Sequence, residues 1–129
     1  MSEDQATRPT TLLLADDDDD LRAMLRLVLP LEGFQIVGEA VDGSEALALT
    51  RKHRPDVVVL DLNMPDLHGS AVIDQLREGD DPQAAAIVVY SGDVVDSSPV
   101  HCSPAHGVSY VAKGGSVAEL VAVVRTSAS

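Results

Sequence analysis

Three features of the sequence predict an α/β domain with a parallel sheet and helices on both of its faces. Short apolar runs alternate with helix-period segments five times along the chain, the pattern of strands joined by crossover helices. The central run, Val57-Val58-Val59-Leu60, holds four apolar residues, three of them β-branched, as a strand covered on both faces requires. The chain has 129 residues, 45% hydrophobic and 23% charged, which suits one domain around one sizeable core.

Taken in order, residues 1–10 read as a polar, disordered leader, residues 11–126 as the domain and residues 127–129 as a tail. Thr11 to Ala15 is a short apolar strand that runs straight into Asp16-Asp17-Asp18-Asp19-Asp20. Leu21, Met24, Leu25, Val28 and Leu29 fall at helical spacing, and the later aspartates suit the positive end of that helix. Pro30 and Gly33 are expected to close it. Phe34 to Ala40 reads as a second strand, Gly43 as a turn, and Ser44 to His53 as a second helix. The third strand ends in Asp61, and Pro65 stops it. A helix is expected near Ser70 to Arg77, then a fourth strand from Ala86 to Tyr90 ending in Ser91-Gly92-Asp93. Val94 to His106, with Pro99 and Pro104 and three serines, predicts a helix that is short or irregular. Val108 to Ala112 is a fifth strand leading to Lys113-Gly114-Gly115. A last helix carries Val117, Leu120, Val121 and Val124 on its apolar face, with Ser116 as cap.

Bulk properties narrow the function. A formal net charge of -12 and a pI near 4.4 argue against non-specific binding of nucleic acid or anionic membranes through this domain. Cys102 is the only cysteine, so no internal disulfide can form. Met1 to Pro9 lacks a secretory pattern and no apolar run is long enough to span a bilayer. A cytoplasmic domain is the simplest expectation. The chain shows no internal repeat and no DNA-binding or catalytic output segment, so it reads either as stand-alone or as one part of a longer protein.

Chemistry gathers at the strand ends: Asp16 and Asp17 after the first, Asp61 after the third, Ser91 after the fourth, Lys113 after the fifth. In open α/β sheets, ligands collect outside the carboxyl ends of the strands. Crowded carboxylates resist joint ionisation unless a cation neutralises them. Mg²⁺ (or Mn²⁺) suits hard oxygen donors and substrate phosphates, and a carboxylate can accept a phosphoryl group as an acyl phosphate. Lys113 would add positive charge and Ser91 a hydroxyl donor.

These stretches together resemble a response-regulator receiver domain of the CheY-like, two-component type. The matching residues are Leu12-Leu13-Leu14-Ala15-Asp16-Asp17-Asp18, then Asp56 to Pro65 with Gly69 following. Ile87-Val88-Val89-Tyr90-Ser91 and Gly107 to Lys113 complete the set. The resemblance implies a flavodoxin-like doubly wound sheet with strand order 2-1-3-4-5. It implies that Asp61 accepts a phosphoryl group from a histidine kinase or phosphotransfer protein. Asp16 and Asp17 would hold the metal, with Asp61 and the backbone carbonyl of Asn63 as further ligands. Ser91 and Tyr110 would be the switch pair, Lys113 the phosphoryl partner, and Asn63 and Asp93 would tune dephosphorylation. The product would be a signalling switch acting on a downstream protein or output domain, with self-phosphorylation and self-dephosphorylation at most as enzymatic activity.

Two departures from the family stand out. Gly114 follows the lysine where receivers carry a cis proline, so a trans and looser loop is expected. The Val94–His106 stretch replaces a regular helix in a surface that receivers use for output. Other readings are weaker. The aspartate run lacks the glycine of an EF-hand loop. His101, Cys102 and His106 lack paired zinc-ligand spacing. A haloacid-dehalogenase-type phosphohydrolase would want an acid at Asn63. A phosphorylation-independent module of the same fold would tolerate loss of Asp61. Ala118, Ala122 and Arg125 form a second stripe on the last helix that would serve a homodimer or another partner.

Overall fold

The computed structural model describes residues 9–64, 69–77, 85–92, 107–114 and 116–128. Its strands are β1 (Thr10–Ala15), β2 (Phe34–Ala40), β3 (Val57–Leu60), β4 (Ala86–Ser91) and β5 (Val108–Ala112). Its helices are α1 (Asp19–Leu31), α2 (Gly43–His53), α3 (Gly69–Arg77) and α4 (Val117–Ala128). The strands form one parallel sheet in the order β2-β1-β3-β4-β5, the flavodoxin-like order. The helix expected between Val94 and His106 lies outside the described residues.

Alternation along each strand sorts the side chains to two layers. Leu13, Ala15, Val58, Leu60, Ile87 and Val89 face one way and pack with Ala46, Leu47, Val72 and Ile73 of α2 and α3. Leu12, Leu14, Val57, Val59, Val88 and Tyr90 face the other way and pack with Leu25 and Leu29 of α1 and Leu120 and Val124 of α4. All four residues of β3 are buried, as their apolar run requires.

Local chemistry sets the helix starts. Asp18 caps α1, its Oδ1 accepting from the N–H groups of Asp20 (3.0 Å) and Leu21 (3.1 Å). Asp42 caps α2 by accepting from Glu45 N (2.8 Å), and Glu45 accepts in return from Val41 N (2.8 Å). Because Asp42 takes the cap, Gly43 is the first helical residue and not part of a turn. Ser116 Oγ accepts from Glu119 N at 3.3 Å at the start of α4.

Some boundaries move. β1 opens at Thr10, one residue earlier than expected, because it pairs with Phe34 there. The helix α1 runs through Pro30 to Leu31. Proline removes only one bond so near the end, and Glu32 N and Gly33 N donate to Leu29 O and Pro30 O (3.0 and 3.1 Å). Gly33 then turns the chain at φ 92°. The last helix continues through Ser127 and Ala128, residues set in a tail by the sequence reading. Thr126 Oγ1 donates to Ala122 O (3.0 Å) and Ala128 packs on the second layer, which extends the helix.

At the opposite end of the sheet from Asp61, Thr11 and Asp56 brace β1 against β3. Thr11 N and Oγ1 donate to Asp56 Oδ2 (2.9 and 3.2 Å), and Asp56 N donates to Thr11 O (3.0 Å). The topology reverses between β1 and β3, since β2 lies on one side of β1 and β3 on the other. A crevice at the carboxyl ends of these two strands is the expected ligand position for this fold.

Candidate functional site

Asp16 and Asp61 stand at that reversal, one residue beyond β1 and β3. Parallel pairing brings Ala15 level with Leu60, so both aspartates leave the sheet side by side. Asp16 N donates to Ala40 O (3.0 Å) and Asp61 N to Ala15 O (2.9 Å), which extends the ladder by one bond on each side. Both residues are buried, at 5% exposure each, whereas Asp17 is exposed. One oxygen from each of Asp16, Asp17 and Asp61 lies within 4.8 Å of the others, the one such acidic group among the described residues.

Lys113, just past β5, reaches into this group. Its Nζ lies 2.8 Å from Asp16 Oδ2 and 3.3 Å from Asp61 Oδ2. One ammonium therefore serves two buried carboxylates, and a third sits beside them. Burial pushes the Asp16 carboxyl above its ordinary value, and the charge of Asp61 adds to this. The bonds from Lys113 and Asp18 N oppose the rise without cancelling it. Burial works against the Lys113 ammonium as well, but Asp16 and Asp61 outweigh it and hold its pKa up. A negatively charged oxygen cluster with one short-range cation has the donor chemistry that a hard divalent ion takes.

Of the remaining expected residues, Ser91 and Asn63 bond to members of this cluster. Ser91 ends β4 fully buried, and its carbonyl accepts from Lys113 N (3.2 Å). Asn63 N donates to Asp61 Oδ1 (3.2 Å), while the Asn63 residue is exposed. Tyr110 lies on the edge strand β5 beside Val89, packed on the layer of α2 and α3 with its hydroxyl oxygen out of solvent. Asp93 lies outside the described residues, as do His68, His101, Cys102 and His106. Among the described residues no peptide bond is cis, and a Cβ at Gly114 would meet no atom within 4 Å. On α4, Ala118 and Ala122 are exposed, but Arg125 is engaged within the chain. Its Nη2 donates to Glu32 O and pairs with Glu32 Oε1 (2.9 Å each), and its guanidinium lies 5.3 Å from the Phe34 ring centre.

Arg22 is a site neighbour that the sequence reading did not single out. It donates from Nη1 to the carbonyl oxygen of Asp16 at 2.7 Å. The only hint in the sequence is its place one turn after Asp19, a common salt-bridge spacing.

Comparison with known proteins matches this geometry to one family. The family model described as response regulator receiver domain covers residues 12–125. The chain is 37% identical over 118 residues to the probable transcriptional regulatory protein TcrX of Mycobacterium tuberculosis, covering 92% of this chain and 49% of that protein. It is 40% identical over 114 residues to the transcriptional regulatory protein PrrA of the same organism, covering 88% and 48%. The chain thus spans about half the length of these curated relatives. Among solved structures, the signal receiver domain of the putative response regulator NarL from Mycobacterium tuberculosis superposes with a TM-score of 0.79. It is 27% identical, with 94% of this chain and 97% of that one covered. No helix among the described residues is long and apolar enough to cross a membrane.

Proposed function

The chain belongs to the response regulator receiver family, and from that premise we propose that it is a phospho-accepting switch whose acceptor is Asp61. The observation that carries this reading is the meeting of Asp16, Asp17 and Asp61 oxygens within 4.8 Å, with Lys113 bonded to two of them. The donor is a phosphorylated histidine kinase or phosphotransfer protein. A carboxylate oxygen of Asp61 attacks phosphorus as the donor's bond to phosphorus breaks, and that electron pair leaves with the donor. The product is an acyl phosphate on Asp61.

Asp16, Asp17, Asp61 and the Asn63 carbonyl would hold Mg²⁺ or Mn²⁺. Such an ion supplies charge neutralisation for the transferring phosphoryl oxygens. Lys113 moves its positive charge from the free carboxylates to the new phosphoryl oxygens. The Ser91 hydroxyl donates to the same group, and Tyr110 responds to that movement from β5. Asn63, and Asp93 beyond Ser91, orient or exclude the water that later hydrolyses the acyl phosphate. The readout is a changed surface offered to a downstream protein or an output domain, in the cytoplasm, as the relatives' description as transcriptional regulators suggests.

Incubation with Mg²⁺ and acetyl phosphate, followed by intact-mass measurement, tests the reading. One phosphoryl adduct is expected on the parent and none on Asp61→Asn or in the presence of chelator. An equal adduct on Asp61→Asn would overturn the assignment of the acceptor.

A further inference from the structure

We propose that Arg22 is a positioning residue for the metal site, holding the Asp16–Asp17 peptide so that the Asp17 carboxylate turns toward Asp16 and Asp61. The inference rests on the Mg²⁺-dependent reading above and extends it to a residue outside the acidic cluster.

The Arg22 side chain is only 11% exposed, and its guanidinium is spread over three acceptors. Nη1 donates to Asp16 O (2.7 Å), Nη2 to Asp19 Oδ1 (2.5 Å) and Nε to Glu39 Oε1 (3.1 Å). Glu39, on β2, is held in turn by Arg26, whose Nη1 lies 2.8 and 2.9 Å from its two oxygens. The planar fork is thus fixed from the sheet before it reaches the loop. The oxygen it takes belongs to the peptide joining Asp16 to Asp17. The peptides before and after it are anchored as well, by Asp16 N to Ala40 O (3.0 Å) and by Asp18 N to Asp16 Oδ1 (2.9 Å). Asp17 is exposed, so packing does not aim its side chain and the peptide plane must. Groups one step removed from a metal commonly set its affinity by orienting the ligands.

Charge and geometry predict opposite signs here. Removing the guanidinium takes a cation from the neighbourhood, leaves Asp19 without this ion pair and leaves Glu39 to Arg26. By charge alone, Mg²⁺ should then bind more tightly. By positioning, it should bind more weakly because Asp17 loses its aim.

Calorimetric titration of Mg²⁺ into the parent, Arg22→Gln, Arg22→Lys and Asp17→Asn decides between them, with thermal melting in chelator as the check on folding. Expected are binding by the parent and roughly ten- to hundredfold weaker binding by Arg22→Gln. Arg22→Lys should fall between them, since an ammonium reaches the carbonyl without the fork. Affinity in Arg22→Gln equal to or tighter than the parent's overturns the inference and leaves the phospho-acceptor reading standing. If Arg22→Gln does not fold, parent-like affinity in Arg22→Lys overturns it and weakened affinity supports it. A parent that does not bind Mg²⁺, or an Asp17→Asn variant that binds like the parent, overturns the functional reading and this inference with it.

Discussion

Asp16 carries an electrostatic conflict. It is buried beside Asp61, and its pKa is raised although it accepts bonds from Lys113 and Asp18 N. A carboxyl whose folded pKa exceeds its unfolded value costs stability above the folded value and costs nothing below the unfolded one, 3.8 here. Without metal at neutral pH, Asp16→Asn should therefore raise the stability, and the melting temperature with it. That gain should shrink as the pH falls from the raised pKa toward 3.8, and parallel melts of parent and variant in chelator would show it. Lys113→Ala should do the reverse in chelator. It strips two buried carboxylates of their common cation, at a cost of about 2 kcal/mol, while Mg²⁺ addition should recover more stability in the variant than in the parent. Asp16, Asp17, Asp61 and Lys113 were legible in the sequence because they stand where apolar runs end, and strand ends are where this sheet type gathers ligands. Arg22 and Glu39 were not, since one bonds a backbone carbonyl and the two are partners across 17 positions with no pattern linking them.

The elements were legible wherever burial and capping agree. The unbroken apolar run of β3, the aspartates at the start of α1, the cap at Ser116 and the apolar face of α4 all follow from side-chain pattern. Helix ends were harder to place. Pro30 reads as a stop but sits where the lost bond is one of the last in α1, and the tail after Thr126 reads as polar although packing carries it into α4. A local feature of β2 was also invisible in the sequence. Leu12 pairs with Ile36 but Leu13 with Gly38, so a bulge skips Val37, and a Cβ at Gly38 would lie 2.8 Å from Leu13 Cδ1. The docking of α4 can be tested by Leu120→Ala, which empties a fully buried position in the layer beneath β4 and β5. A loss of about 2–5 kcal/mol is expected in denaturant unfolding. A loss under 1 kcal/mol would mean that α4 packs less firmly than its burial indicates.

Alternation of strands and helices yields a parallel sheet with two helical layers, but it does not yield the strand order. That order came from the resemblance of four separated stretches to receiver domains, and the observed β2-β1-β3-β4-β5 sheet agrees with it. Long-range order escapes local pattern because every strand is apolar enough to occupy the interior. The order matters for chemistry, since it alone brings Asp16 next to Asp61 and Lys113 within reach of both. If those groups form a phospho-acceptor site, the covalent product must be an acyl phosphate at one residue, and reduction by borohydride converts an aspartyl phosphate to homoserine. Peptide mapping of the chain after treatment with Mg²⁺ and acetyl phosphate, then borohydride, should place homoserine at position 61 and nowhere else. Homoserine at Asp16 or Asp17, or a borohydride-resistant phosphate on Ser91, would contradict it.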